Sequence, residues 1–338
     1  MTTNSKNWSS LLAPFRSADN TRAVIEIVLT VVPLVAIWLL LWTLLHVGTV
    51  LSSIAFVILL VPAGGLMVRL FILQHDCGHG SMFSSTFAND WVGRFLGVFT
   101  FTPYDYWRRL HASHHATSGD LDRRGMGDID TLTVAEYKAK NKMGKLRYRL
   151  YRNPLVMFGL GPAYMFLLRH RLPVGAMKEG LTGWISTLAT NAGIVVMALL
   201  LIKFAGLGAF LLIQLPIVVL GASIGVWLFY VQHQYEDTYW DTRPEWSREN
   251  GALQGSSYYD LPKPIMWITG YIGIHHVHHL SSRIPFYKLP KVMKAHPELK
   301  DIGRLKFWES LRSVHLALWD ENAKKLISFR DARRLQFA

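Results

Sequence analysis

Apolar positions in this chain are gathered into long blocks. Residues 23–68 form the longest, and their only ionisable side chains are Glu26 and His46. A run of that length holds two membrane-crossing helices of about 20 residues each, with the turn between them at His46-Val47-Gly48-Thr49. A second block, from about Leu181 to Val231, has Lys203 near its middle with Gly206 and Gly208 beside it, and divides in the same way. The pattern predicts an all-α integral membrane protein with four transmembrane helices in two hairpins, at 25–46, 50–72, 183–203 and 208–231. Two hairpins return both termini to one side, so 1–22, 73–182 and 232–338 share that side and build a helical cap. No linker divides 1–338 into further domains.

Shorter segments refine this picture. Trp8-Ser9-Ser10-Leu11-Leu12 reads as a short interfacial helix, and the apolar block behind the polar first 22 residues is too long for the core of a signal peptide. Residues 91–102 are apolar but too short to span, so they predict an interfacial helix ended by Pro103, with a new helix from Tyr104 to His115. An acidic, glycine-containing stretch at 119–131 reads as a loop whose spacing does not match an EF-hand. Residues 133–153 predict a basic helical stretch with a solvated face. Residues 154–168, which include Gly159, Gly161 and Pro162, read as interfacial or re-entrant, with Arg169, His170 and Arg171 at the headgroups. The tail after about residue 287 is expected to be short helices.

Charge orients the whole. The formal net charge is +13, and fourteen Lys and Arg lie between Tyr104 and Gly180, whereas the two proposed hairpin turns hold only Lys203. By the positive-inside rule both termini and the 104–180 segment are cytoplasmic, in the inner membrane if the chain is bacterial. Membrane orientation and anionic headgroups account for the basicity, so no nucleic-acid partner is needed.

The candidate chemistry lies in three histidine clusters: His75-Asp76-Cys77-Gly78-His79, His111-Ala112-Ser113-His114-His115 and His275-His276-Val277-His278-His279. Spacings of i, i+4 and i, i+3, i+4 place imidazoles on one face of a helix. Eight such histidines exceed what one metal can hold and predict a site for two. His233, at the end of the fourth span, could add a ninth. His276 points away from the face His275 occupies and reads as packing or as a support for its neighbours. His296 and His315 have no partner at ligand spacing, and Cys77, the single cysteine, reads as a small buried residue. An all-nitrogen set suits iron, zinc or copper. Asp76, Asp105, Asp120, Glu236 and Asp237 are candidates to orient imidazoles through their second nitrogen.

These residues carry a resemblance. His-Asp-Cys-Gly-His, His-Ala-Ser-His-His and His-His-Val-His-His, with their order and the hairpin between them, resemble the membrane fatty acid desaturases over about 70–330. Phe229-Tyr230-Val231-Gln232-His233-Gln234 and Gly273 to Pro285 are similar to the Δ12 (omega-6) branch in particular. The resemblance implies a four-span fold with a cytoplasmic cap and two iron ions, held by His75, His79, His111, His114, His115, His275, His278 and His279, with His233 matching an extra histidine. It implies insertion of a cis double bond into a lipid acyl chain, using O2 and electrons from a ferredoxin or cytochrome b5-type carrier. One departure is Phe229, where the acyl-CoA Δ9 desaturases place asparagine. Trp107, Trp227 and Tyr230 are candidate walls of an acyl tunnel. A hydroxylase, ketolase or alkene-forming decarboxylase of the same fold shares the histidine pattern and stays open. A histidine-rich metal transporter would want ionisable groups near mid-membrane, and only Glu26, His46, Arg69 and Lys203 are available, all near span ends.

Overall fold

A computed structural model describes residues 6–125 and 127–335. The outer ends of the segments expected at 1–22 and 232–338 lie outside it. Four helices are long and apolar enough to cross a membrane: Asn20–Val47, Val50–Gly78, Leu181–Ala205 and Leu207–His233. Each contains its expected span and runs past it. Thr49 caps the second helix, its hydroxyl accepting from Ser52 N while the Ser52 hydroxyl accepts from Thr49 N. At 29 residues that helix is about 43 Å long, well beyond the roughly 30 Å of a hydrocarbon core. Its last turns, with His75, therefore project out of the membrane. The fourth span contains a π-helical turn, Phe210–Gln214, just before Pro216; a proline without an N–H is a common cause of such a register change.

The first and second spans are locked by charge. Glu26 and Arg69 form an ion pair with both side chains almost wholly enclosed. Arg69 Nε donates to Thr30 Oγ1 at 3.1 Å, and its guanidinium lies 4.3 Å from the Trp267 ring of the cap.

The interfacial helix expected at 91–102 is Thr86–Phe99, and the next helix is Tyr104–Thr117. Between them Phe101 takes a positive φ of 57°, and the Gln74 side chain ties this turn to the second span by accepting from Thr100 Oγ1 and donating to Thr102 O. The basic stretch is two helices, Val134–Ala139 and Lys142–Tyr151. Residues 154–168 form a π turn, Val156–Leu160, and a helix, Gly161–Leu167.

The cap departs from the helical expectation at its C-terminal end. Leu316–Asp320 and Lys325–Ser328 pair as an antiparallel hairpin, and Leu132–Thr133 adds in parallel to the first of them. Tyr258–Asp260 and Arg304–Lys306 make a second, two-stranded parallel sheet. The hairpin turn is set by Asp320, whose carboxylate accepts from Asn322 N and Ala323 N. Strands this short give no periodic signal in sequence.

Candidate metal centre

Four elements deliver the histidines. The second span carries His75 in its last turn and places His79 at its C-cap. Helix Tyr104–Thr117 presents His111, His114 and His115, and the fourth span ends on His233. His275, His276, His278 and His279 lie on the six-residue helix His275–Leu280, every histidine of which is buried. That helix is entered through a turn with positive φ at Gly270 and Tyr271. It is pinned by Tyr259 N donating to Gly273 O and by Asp76 Oδ2 accepting from Phe286 N.

Nine imidazoles converge in two groups. One gathers His75, His79, His111, His115 and His278; the other gathers His114, His233, His275 and His279, with the offered nitrogens of each group within 4.8 Å of one another. The helical spacing is divided by a simple rule. Each i, i+4 pair (75 and 79, 111 and 115, 275 and 279) stays within one group, while the i+3 histidines His114 and His278 cross to the other. At 100° per residue the i+3 position lies on the far side of residue i from i+4, so it points at a neighbouring ion rather than the same one.

The ring contacts fit metal ligation. Nε2–Nε2 separations are 3.0 Å for His79–His111, 3.1 Å for His111–His115 and 3.1 Å for His115–His278. In the other group they are 3.2 Å for His114–His279, 3.1 Å for His275–His279 and 3.0 Å for His233–His275. Two nitrogens about 2.1 Å from a shared ion, at angles of 90–109°, lie about 3.0–3.4 Å apart. Hydrogen bonding alone serves these contacts poorly, since a neutral imidazole has one N–H and one acceptor, yet the Nε2 of His111, His115, His275 and His279 each meet two others.

The second nitrogens fix the tautomer. His75 Nδ1 donates to Asp76 Oδ1 at 3.0 Å, His114 Nδ1 donates to Asp128 Oδ1, and His233 Nδ1 donates to Gly255 O at 2.9 Å. Each bond leaves Nε2 as the lone-pair donor facing the group. Burial, followed by the neighbouring imidazoles, holds His79, His111, His115, His275, His278 and His279 well below the ordinary histidine range. These rings are therefore neutral at pH 7, the form that binds metal.

Of the carboxylates expected to orient imidazoles, Asp76 meets a histidine and the others do not. Asp105 pairs with Arg94 and Arg108, Asp120 with Arg123 and Arg243, and Glu236 with Lys325, while Asp237 is exposed. The carboxylate that sequence reasoning missed is Asp128, in the acidic loop 14 residues after His114; the loop's composition was the available signal. The carbonyl of Gly255, being backbone, had none. His276 turns away from both groups into the cap interior, donating from Nε2 to Leu299 O at 2.9 Å.

Among the aromatic candidates, Trp107 stacks on His111 with ring centroids 4.6 Å apart. Trp227 packs edge-on to Phe158 at 5.1 Å. Tyr230 is not free to line a tunnel through its hydroxyl, which donates to cap carbonyls at Ser313 and Leu316 and accepts from Arg152. Phe229 lies against both His114 and His233, at 5.0 and 5.2 Å.

Comparison with known proteins identifies the family. The fatty acid desaturase family description matches residues 51–310. The chain is 42% identical to "Fatty acid desaturase" of Bacillus subtilis (strain 168) over 331 residues, covering 98% of this chain and 92% of that protein. It is 28% identical to a Synechocystis "sn-1 acyl-lipid omega-3 desaturase (ferredoxin)", covering 69% of this chain and 64% of the relative. It is 26% identical to the "sn-1 oleoyl-lipid 12-desaturase" of the same organism, covering 70% and 66% respectively.

Proposed function

The chain belongs to the fatty acid desaturase family and is an enzyme that desaturates fatty acyl chains in a membrane; from that premise we propose an acyl-lipid desaturase of Δ12 (omega-6) character with a di-iron centre. The observation that supports the two-metal reading most directly is the division of nine histidines into a group of five and a group of four, with Nε2 separations near 3 Å.

In this reading His75, His79, His111, His115 and His278 hold one iron, and His114, His233, His275 and His279 hold the other. When bound, the pair supplies the activation of O2 that removing hydrogen from an unactivated methylene requires. The protein's own residues prepare for it. Asp76, Asp128 and Gly255 O lock three imidazoles in the donor tautomer, and Phe229 walls the four-histidine group with hydrocarbon. Trp107, stacked on His111, is the aromatic we place beside the acyl chain. Electrons come from a separate ferredoxin or cytochrome b5-type carrier, and the cap faces the cytoplasm. The 12-position rests on the Phe229–Gln234 and Gly273–Pro285 segments and on the oleoyl-lipid relative.

Expression in a host rich in monounsaturated lipids, beside His278→Ala, tests the proposal by gas chromatography–mass spectrometry of total fatty acids. New dienes with a 12-double bond from the parent and none from the variant are expected. Double bonds at another position would overturn the Δ12 assignment. Hydroxylated or shortened products would instead favour the alternative chemistries on the same centre.

A further inference from the structure

The helix Lys142–Tyr151, expected as a solvated basic face, carries an apolar stripe that nothing among the described residues covers. Met143, Leu146 and Leu150 are 55%, 50% and 53% exposed. At 100° per residue they fall within a 60° arc. Tyr148, on the opposite side, is buried and donates from its hydroxyl to Ala317 O at 2.6 Å, which fixes the helix's rotation on the cap. Lys142 and Arg147 flank the stripe about 40° to either side, both exposed and neither within salt-bridge distance of a carboxylate among the described residues. The stripe also continues down the chain. The helix is followed at once by the exposed Leu155, Leu160 and Tyr164 of the segment packed against the fourth span. Arg152, at the junction, reaches the Tyr230 hydroxyl and Gln234 Oε1, next to His233.

An apolar stripe bordered by free cations, running into a lipid-facing segment, matches the chemistry of a bilayer surface. The geometry points to Lys142–Tyr151 as an interfacial helix that seats the cap on the membrane, its apolar stripe among the upper acyl chains and Lys142 and Arg147 on anionic phospholipid headgroups. A soluble acidic protein is the less fitting occupant, because the centre of this surface is hydrocarbon and its cations are at the edges. This inference goes beyond the desaturase reading and does not depend on metal or turnover.

The test uses the full chain in nanodiscs, with Cys77 left native because it is buried. A nitroxide probe is attached at Leu146→Cys, and in a second protein at Lys145→Cys, 100° round the helix. Collisional accessibility to O2 and to a water-soluble nickel chelate is then measured in discs of phosphatidylcholine alone and with 30% phosphatidylglycerol, roughly the scale of an anionic leaflet. The expected result is a probe at position 146 at least about threefold less accessible to nickel than the probe at 145 in anionic discs. That protection should weaken in pure phosphatidylcholine, in high salt, and in a Lys142→Gln/Arg147→Gln background that keeps the parent's melting temperature. Equal nickel access at the two positions in both lipids would overturn the interfacial assignment. Protection at 146 that ignores lipid charge and the double substitution would overturn headgroup recognition. Protection that appears only when an acidic protein is added would give the surface to that partner instead.

Discussion

Asp128 is the residue whose removal should report most cleanly on the site. Its carboxylate is the acceptor for His114 Nδ1, and partners of this kind set the orientation and basicity of an imidazole ligand. Asp128→Ala is expected to lower metal affinity at the four-histidine group by about 10–100-fold while leaving the far-ultraviolet circular dichroism unchanged; chelator competition measures it, and parental affinity would refute the role. His170 makes a separate prediction. It is buried in the turn Arg169–Arg171, and burial, then Arg171 and Arg169, push its imidazole down to about 3, against about 6.5 in an unfolded chain. Below pH 6.5 the unfolded chain takes up a proton that the folded one does not, so stability falls as the pH drops. The expected slope is about 1.4 kcal/mol per pH unit between roughly 6 and 3. His170→Gln should lose that increment. Melting in detergent from pH 7 to 5 decides it, and parallel curves for the two proteins would refute the assignment.

At the level of elements, the histidine-bearing helix Tyr104–Thr117 is positioned by a close approach at Gly97. A Cβ there would lie 2.5 Å from Thr102 O, a backbone atom of the turn into this helix that cannot swing aside. Gly97→Ala is therefore expected to cost about 1–3 kcal/mol and to reduce bound metal, because the turn and the helix move together. Thermal melting and metal content of the purified protein test it; an unchanged melting temperature would show that the turn yields. Elements were unequally legible in sequence. The four spans could be read because about twenty apolar residues in a row match the thickness of a bilayer and little else. The three clusters could be read because i, i+4 histidines share a helix face. Their division into groups could not, since it depends on how separate helices cross. The hairpin Leu316–Ser328 was missed because strands of four or five residues are set by tertiary pairing. Asp105 and Asp120 were sequence neighbours of histidines but answered to nearer arginines.

Across the molecule, the Glu26–Arg69 pair, with Thr30, ties the first two spans together, and Arg69 carries the link on to the cap at Trp267. Removing one member strands a buried charge, so Arg69→Met should destabilise by up to about 3–5 kcal/mol, less whatever Arg22, also paired with Glu26, retains. The double change Glu26→Gln/Arg69→Met should recover part of that loss in a melting experiment, and an equal or larger loss would argue against charge as the cause. The crossing of His114 and His278 has a consequence of the same reach. Because helix Tyr104–Thr117 and helix His275–Leu280 each supply both groups, neither group can be set in place without half-assembling the other. Under the proposed ligation, the first ion carries the cost of aligning both helices and the second finds them aligned already. Filling should then be cooperative: ferrous iron added to stripped protein would give a sigmoidal isotherm, and molecules holding a single ion would be scarce at every point along it.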